Sequence, residues 1–328
     1  MLENVHIQFA PLEGITDAVY REVHHRMFGG VSEYMIPFVS PTQDRMLPAR
    51  EMRAIAPEYN EGVPVVPQIL AKDATLFVWL AERLQDMGYT KVNLNLGCPS
   101  GTVTAKGKGA GMLRDPDTLA RFLDAIFTAS PLPISLKTRV GYESLEEWPR
   151  LLEILARYPA AEIIIHPRLR SEFYKGEVHR ELFARAAQYL KVPVIYNGDV
   201  FTKKDAAAVL EHTASCRTLM VGRGLAANPA FARELSGGKP LTAPEIRTFH
   251  DELYARYAQM YSERIVLGKM REVTKYLLCA YDPAPKLCKA MLKAQTGRIY
   301  SSAIDQLFAL PLRNEPGFVP FTASQTWS

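Results

Sequence analysis

The stretch KVNLNLGCPSGTVTAKGKGAGMLRDPDTLARFLDAIFTASPLPISLKTR, residues 91–139, contains one complete structural unit. It opens on KVNLNLG (91–97), a short apolar run ending in glycine, and closes on a second such run, PISLKTR (133–139). Between them, DPDTLARFLDAIFTAS (115–130) carries apolar residues at helical spacing, with Asp115 placed to cap its start and Pro116 at the first helical position. Strand, helix, strand is the pattern of a parallel crossover. The unit repeats outward in both directions: HIQFAP (6–11), SEYMIP (32–37) and PVVPQIL (64–70) precede it, and AEIIIHPR (161–168), VPVIYNG (192–198) and TLMVGRG (218–224) follow. Most of these runs are apolar on both faces, as buried parallel strands are. DATLFVWLAERLQDMG (73–88) and TKKDAAAVLEHT (202–213) read as further helices, and Thr16 or Asp17, Asp73 and Thr202 as helix caps. Eight strands alternating with helices about every 30 residues predict an α/β fold of the closed (β/α)8 TIM-barrel type, which takes about 250 residues. An open doubly wound sheet would want a G-x-G-x-x-G turn at a strand end. The richest glycine run, G-K-G-A-G (107–111), has the wrong spacing and lies far past its strand.

The composition of the 328 residues, 48% hydrophobic and 23% charged, excludes a disordered or fibrous chain. Cys98, Cys216, Cys279 and Cys288 form no C-x-x-C pair and read as free thiols of a reducing cytoplasm. No apolar run approaches the roughly 18 residues of a membrane helix, and the N-terminus shows no basic-then-apolar leader. The expectation is a soluble, cytoplasmic protein with no membrane partner. After SGGKPL (236–241) the strand pattern stops, and helices are expected at 243–261, 265–280, 284–296 and 301–309. The expected organisation is therefore a barrel over 1–238, an all-helical C-terminal domain over 239–312 and an extended tail over 313–328.

Charge is unevenly placed. Residues 264–298 hold eight cations against Glu272 and Asp282, a net +6 in a chain whose total is +4. Arg271 and Lys275 lie four apart, and Lys286, Lys289 and Lys293 follow one helical face opposite Leu287, Met291 and Ala294. Such a run is either a solvated face over a small bundle or a track for a phosphate backbone.

The expected carboxyl ends of the strands carry groups that an apolar core does not want. They are Pro11-Leu12-Glu13 after the first, Gln68 on the third and Asn95 through Cys98-Pro99 on the fourth. Lys137 and Arg139 follow on the fifth, His166 and Arg168 on the sixth, Asn197-Gly198-Asp199 on the seventh and Gly222-Arg223 on the eighth. In a barrel this end is the working face, and the last two loops commonly hold phosphate. Lys137 answers a negative charge, such as an anionic reduced flavin whose polar edge meets Gln68, or it forms a Schiff base as in an aldolase. Cys98, between Gly97 and Pro99, points into the barrel mouth. There it is either a nucleophile with a depressed pKa or an acid that keeps its proton near neutral pH. His166 serves either case or orients a ligand. The Gly- and Lys-rich loop 97–115 is expected to be a lid or binding element. His6, His24, His25, His179, His212 and His250 show no metal-site spacing, and no metal is expected.

APLEGITD (10–17), LNLGCPS (94–100), H-x-R at 166–168 followed by FYKG (173–176), NGD (197–199) and VGRG (221–224) together resemble the tRNA-dihydrouridine synthases. The resemblance covers the barrel and extends into the helical region, which in that family grips tRNA. It implies non-covalent FMN on Pro11, Leu12, Glu13, Gln68, Lys137, His166, Asn197, Gly198, Asp199, Gly222 and Arg223, and NADPH as reductant. Cys98 is implied as the acid that protonates C5 of a uracil after hydride reaches C6, and Asn95 as a residue facing the base. Arg139 and Arg168 join Asn95 as candidate substrate contacts, while Arg271, Lys275, Lys286, Lys289 and Lys293 are candidate tRNA contacts. A monomer meeting one tRNA is the simplest assembly. Three positions depart from the family's usual pattern: Asn93 stands where aspartate is common, H-P-R-L replaces H-G-R-T, and Gly101 replaces a frequent basic residue. The rival readings are a flavin barrel acting on a free pyrimidine, of the dihydroorotate dehydrogenase type, and a tRNA-binding protein with a vestigial flavin site.

Overall fold

The computed structural model describes residues 4–213 and 216–319. Among the described residues nine strand pieces are formed: β1 (His6–Phe9), β2 (Val31–Met35), β3 (Val65–Val66), β4 (Gln68–Ile69), β5 (Val92–Leu96), β6 (Ile134–Gly141), β7 (Ile163–Leu169), β8 (Val194–Tyr196) and β9 (Thr218–Val221). Their order is β3-β2-β1-β9-β8-β7-β6-β5-β4, and every pairing between them is parallel. The two ends of that order, β3 and β4, are halves of one segment split by Pro67, which has no N–H to give to a ladder. A parallel bridge from Val39 to Ile69 completes the circuit. The nine pieces are thus the eight strands of a closed barrel, as expected.

Alternate residues of the strands face opposite ways. Ile163, Ile165, Leu219 and Val221 belong to the large core between the barrel and its helices. Their neighbours Ile164 and Met220 join Ala10, Met35, Val66 and Ile195 in a separate cluster inside the barrel. All four expected helix starts are capped. Asp17 accepts from the Tyr20 N–H (3.1 Å), Asp73 from Leu76 and Asp115 from Thr118 (3.0 Å each), and Thr202 forms a capping box with Asp205.

Toward the amino ends of the strands the interior is closed by an ionic cluster. Lys91 Nζ donates to Glu33 (2.7 Å) and Glu162 (3.0 Å), and Gln8 Nε2 donates to Glu162 (3.3 Å). Replacing Lys91 by methionine would leave two mostly buried carboxylates facing each other. This is expected to cost about 3 kcal/mol of stability, read as a lower urea midpoint, while leaving the opposite end of the barrel unaltered.

After the barrel come four helices, Ala243–Met260, Glu263–Leu277, Pro285–Lys293 and Gly297–Phe308. The last begins earlier than the expected 301 because Thr296 caps it through the Ile299 N–H. Phe249 packs edge-on against Tyr20 and Phe28 of the helix Ala18–Phe28, with both centroids at 5.3 Å. Asp17, besides capping that helix, receives the Tyr257 hydroxyl (2.8 Å) and Lys269 Nζ (2.6 Å). Barrel and helices share one continuous apolar core. Among the described residues no helix is long and apolar enough to cross a membrane.

Candidate functional site

At the carboxyl ends of the strands lies a cavity of about 460 Å³. Its walls contain all eleven residues expected to hold a flavin, together with Asn95, Cys98 and Arg139. Register explains the convergence: Asn95 is paired with Lys137 across β5–β6, and Arg139 with His166 across β6–β7. Because side chains alternate, Lys137 and Arg139 point to the same face, and their polar ends collect above the apolar interior cluster.

The site is rich in cations. Lys137 Nζ donates to Asn197 Oδ1 (2.7 Å), and Asn197 Nδ2 donates to the Met220 carbonyl (2.7 Å). Burial, with Arg139 nearby, pushes the Lys137 ammonium down to about 7. Arg139 is buried and donates to the carbonyls of Gly97 (2.9 Å) and Leu169 (2.8 Å), so it anchors the Cys98 loop to β7. Burial holds His166 well below its ordinary value, and Arg139, Lys137, Arg168 and Arg223 hold it lower still, so the imidazole is neutral at pH 7.

Asp199 is the carboxylate that joins the last two strand ends. It sits at a positive φ of 37° and accepts from both Arg168 and Arg223. Burial alone would raise its pKa, but those two guanidinium groups outweigh burial and keep it ionised. Arg223 is walled by aromatic rings, lying 5.3 Å from Tyr174, 5.3 Å from Phe201 and 4.8 Å from Phe318.

Cys98 is partly buried, and its N–H donates to Asn95 Oδ1 (2.8 Å). Burial pushes the thiol above its ordinary value, against a backbone hydrogen bond and the pull of Arg139 and Lys137. The group therefore keeps its proton at neutral pH, as an acid needs and a nucleophile does not.

The structure differs from expectation at Arg168 and in part of the loop 97–115. Arg168 was expected to touch substrate, but its side chain is 2% exposed and lies behind the cavity wall. Its guanidinium donates to Asp199 and to the Gly176 carbonyl, so it acts through Asp199. Residues 97–115 were expected to be a lid or binding element, and Gly97, Cys98 and Pro99 do line the cavity. Gly109–Leu113 are instead buried beneath the Cys98 turn, and Ala110 N donates to the Cys98 carbonyl (3.1 Å). Gly109 has φ +58°, and a Cβ there would lie 3.0 Å from Cys98 Cβ. Its glycine is a packing requirement of the turn that aims the thiol.

Other wall residues were not anticipated. Pro37 and Phe38 extend β2, Tyr174 and Phe201 come from loops, Tyr276 from the helix Glu263–Leu277, and Phe318 from the tail. FYKG did mark Tyr174 as part of a motif, but nothing local in the sequence brings Tyr276 or Phe318 to the barrel. Only tertiary docking does. Glu13 lies at the rim, ion-paired with Arg50.

Of the expected basic track, Lys286, Lys289 and Lys293 are exposed. Arg271 donates to the Ala294 carbonyl and so joins two helices, and Lys275 bonds Glu272 at 2.7 Å. Among the described residues no group of three or more His, Cys, Asp and Glu side chains gathers as a metal site would.

Comparison with known proteins agrees with this geometry. The model of the family described as "Dihydrouridine synthase (Dus)" matches residues 8–296. A tRNA-dihydrouridine(16) synthase of Pseudomonas putida is 30% identical over 85% of this chain and 90% of the relative. One from Salmonella typhimurium is 30% identical over 87% and 94%. The tRNA-dihydrouridine synthase B of Pseudomonas aeruginosa is 28% identical over 94% of each. Among solved structures, a variant of NCR from Zymomonas mobilis matches with a TM-score of 0.51 at 14% identity, covering 74% of this chain and 90% of that one, which supports the barrel fold alone.

Proposed function

The chain belongs to the dihydrouridine synthase family, and from that premise we propose that it reduces the C5–C6 double bond of a uridine in tRNA, with FMN as cofactor, NADPH as reductant and Cys98 as proton donor. The names of the Pseudomonas putida and Salmonella relatives point to position 16 as the target. The observation that carries the reading is a partly buried thiol, which burial pushes above its ordinary pKa, on the wall of a cavity holding Lys137, Arg139 and Arg223, with Asp199 already engaged by arginines.

That donor set fits a phosphorylated flavin. The cavity has more cations than carboxylates, and burial, with Arg139 nearby, leaves Lys137 partly deprotonated at neutral pH, its bonded partner Asn197 being a neutral amide. At Gly222, next to Arg223, a Cβ would crowd Ala10 Cβ at 3.3 Å and Leu12 Cδ2 at 3.4 Å, so glycine is what this strand end accommodates. Arg223, Asn197, Gly198 and Gly222 would hold the phosphate, and Gln68, Lys137 and His166 the ring. A reduced flavin held there would supply the hydride that C6 of the uracil accepts. Cys98 then gives its proton to C5. Lys137, charged once an anion lies beside it, stabilises the negative charge that develops before that transfer. Asn95 and Arg139 hold the loop that carries the thiol, and the neutral His166 orients without titrating.

The base must leave its stack to reach the cavity, which costs a few kcal/mol. Contacts along the phosphate backbone offset that cost, and the exposed lysines of Pro285–Lys293 are placed for them. Residues 1–238 thus act as the catalytic barrel and 239–312 as the tRNA-gripping helices, with Tyr276 of those helices reaching the cavity wall. The tail 313–328 contributes Phe318; its residues 320–328 lie outside the described residues. We assign the working unit as a monomer.

The test is whether NADPH oxidation requires tRNA. A yellow protein that oxidises NADPH with tRNA, places dihydrouridine at position 16 and ignores free pyrimidines supports the reading; turnover on free orotate or uracil overturns it. Replacing Lys286, Lys289 and Lys293 together by glutamine is expected to lower tRNA affinity and to reduce the slope of log K against log salt by about 2 to 3. Turnover at saturating tRNA should be retained. Unchanged affinity and slope would show that this face is merely solvated.

A further inference from the structure

Beneath the cavity, four polar side chains form a continuous chain through the interior of the barrel. Gln68, Asn93 and Ser135 are fully buried and Asn95 nearly so, while much of the surrounding interior is apolar. Gln68, Asn93 and Ser135 stand side by side on β4, β5 and β6, each paired in register with the next. Buried amides are costly unless every polar atom is satisfied.

The direction of the chain follows from its upper end. The N–H groups of Gly97 and Cys98 can only donate, so Asn95 must offer them Oδ1, at 3.0 and 2.8 Å. Its Nδ2 then faces Gln68, which must offer Oε1 (2.7 Å). The Gln68 Nε2 therefore faces Asn93 Oδ1 (2.8 Å), and Asn93 Nδ2 faces Ser135 Oγ (2.9 Å). The serine hydroxyl accepts there and passes its own hydrogen to the Val92 carbonyl (3.2 Å), where the chain can end without an orphaned group. No amide in the series can flip without setting donor against donor.

We propose that Asn93 and Ser135, which do not line the cavity, are positioning residues that fix the orientation of Gln68 and Asn95. Through Asn95 they also fix the turn that presents Cys98. The Cys98 part stands on geometry alone, and the Gln68 part rests on the flavin reading above. Gln68 uses one N–H and one lone pair inside the chain and keeps one of each for a cofactor. Its donor and acceptor are thus presented at fixed places instead of interchanging.

The test uses Asn93→Leu, which removes the acceptor for Gln68, and Asn93→Asp, which keeps it. Two readouts are taken on folded protein. One is the rate of iodoacetamide alkylation of Cys98 in cofactor-free enzyme, followed by mass spectrometry because the other three cysteines are buried. The other is the dissociation constant for FMN. Asn93→Leu is expected to change the alkylation rate and weaken FMN binding by about tenfold each, with Asn93→Asp close to the parent in both. An unchanged alkylation rate in Asn93→Leu, or equal changes in the two variants, overturns the proposal. A parent protein that binds no FMN overturns the cofactor reading instead and leaves the alkylation comparison intact.

Discussion

Cys98→Ala is expected to keep its flavin and to lose turnover with tRNA by about 10²- to 10⁴-fold, the range that a positioned general acid contributes. The substitution removes the sulfur without disturbing what places it, because the Cys98 N–H to Asn95 bond and the Ala110 N–H to Cys98 carbonyl bond are both made by backbone. The loss should therefore fall on the oxidative half of the cycle. With enzyme reduced beforehand by NADPH, reoxidation by tRNA slows, whereas NADPH reduction of the flavin proceeds at the parent rate. Because burial raises the thiol's pKa, the parent's reoxidation rate is expected to be flat through neutral pH and to fall only on the alkaline side, as the acid form is lost. Cys98→Ser keeps an O–H of far weaker acidity and should recover only part of the rate. Reoxidation by tRNA at the parent rate in Cys98→Ala would remove the thiol from the proton transfer.

What could be read from the sequence follows from which forces are local. The eight strands were legible because parallel strands buried on both faces need unbroken apolar runs, and the caps Asp17, Asp73, Asp115 and Thr202 because capping is a matter of three residues. The strand-end polar residues were legible together, since closing a barrel brings every carboxyl end to one rim whatever the details of packing. Side-chain direction was not. Arg168 sits two residues beyond His166 on the same strand, yet Asp199 draws it behind the wall, and that pairing spans 31 positions. The glycine-rich composition of 107–111 suggested a lid or binding element, but Gly109 and Gly111 are packed closely by Cys98 and Thr104. Likewise the positive run 264–298 contains cations with quite different partners. Lys269 bonds Asp17 and Arg271 bonds a carbonyl, while Lys286, Lys289 and Lys293 face solvent. Counting charge could not separate these.

Lys137→Met is expected to do two opposite things, and together they separate a functional cation from a structural one. In the cofactor-free protein, burial first and Arg139 second lower the Lys137 pKa from 10.5 to about 7. The unfolded chain therefore binds more protons than the folded one between those two values. Stability contributed by this group is lowest below pH 7 and rises as pH increases toward 10.5. Methionine removes the buried charge at similar length, so the cofactor-free variant should melt a few degrees higher than the parent at pH 6.5, with the gap closing toward pH 10. Binding an anionic cofactor reverses the sign. It raises the Lys137 pKa, so binding takes up a proton above pH 7, and affinity for reduced FMN should be greatest below pH 7 and weaken as pH rises. In Lys137→Met that pH dependence should vanish, and turnover should fall by about 10²-fold or more through loss of charge stabilisation in the site. Calorimetry of the cofactor-free proteins and FMN titrations under reducing conditions read both effects. A variant less stable than the parent at pH 6.5 would mean that Lys137 holds the barrel together through Asn197, and that the cavity did not evolve to place a cation beside a negative charge.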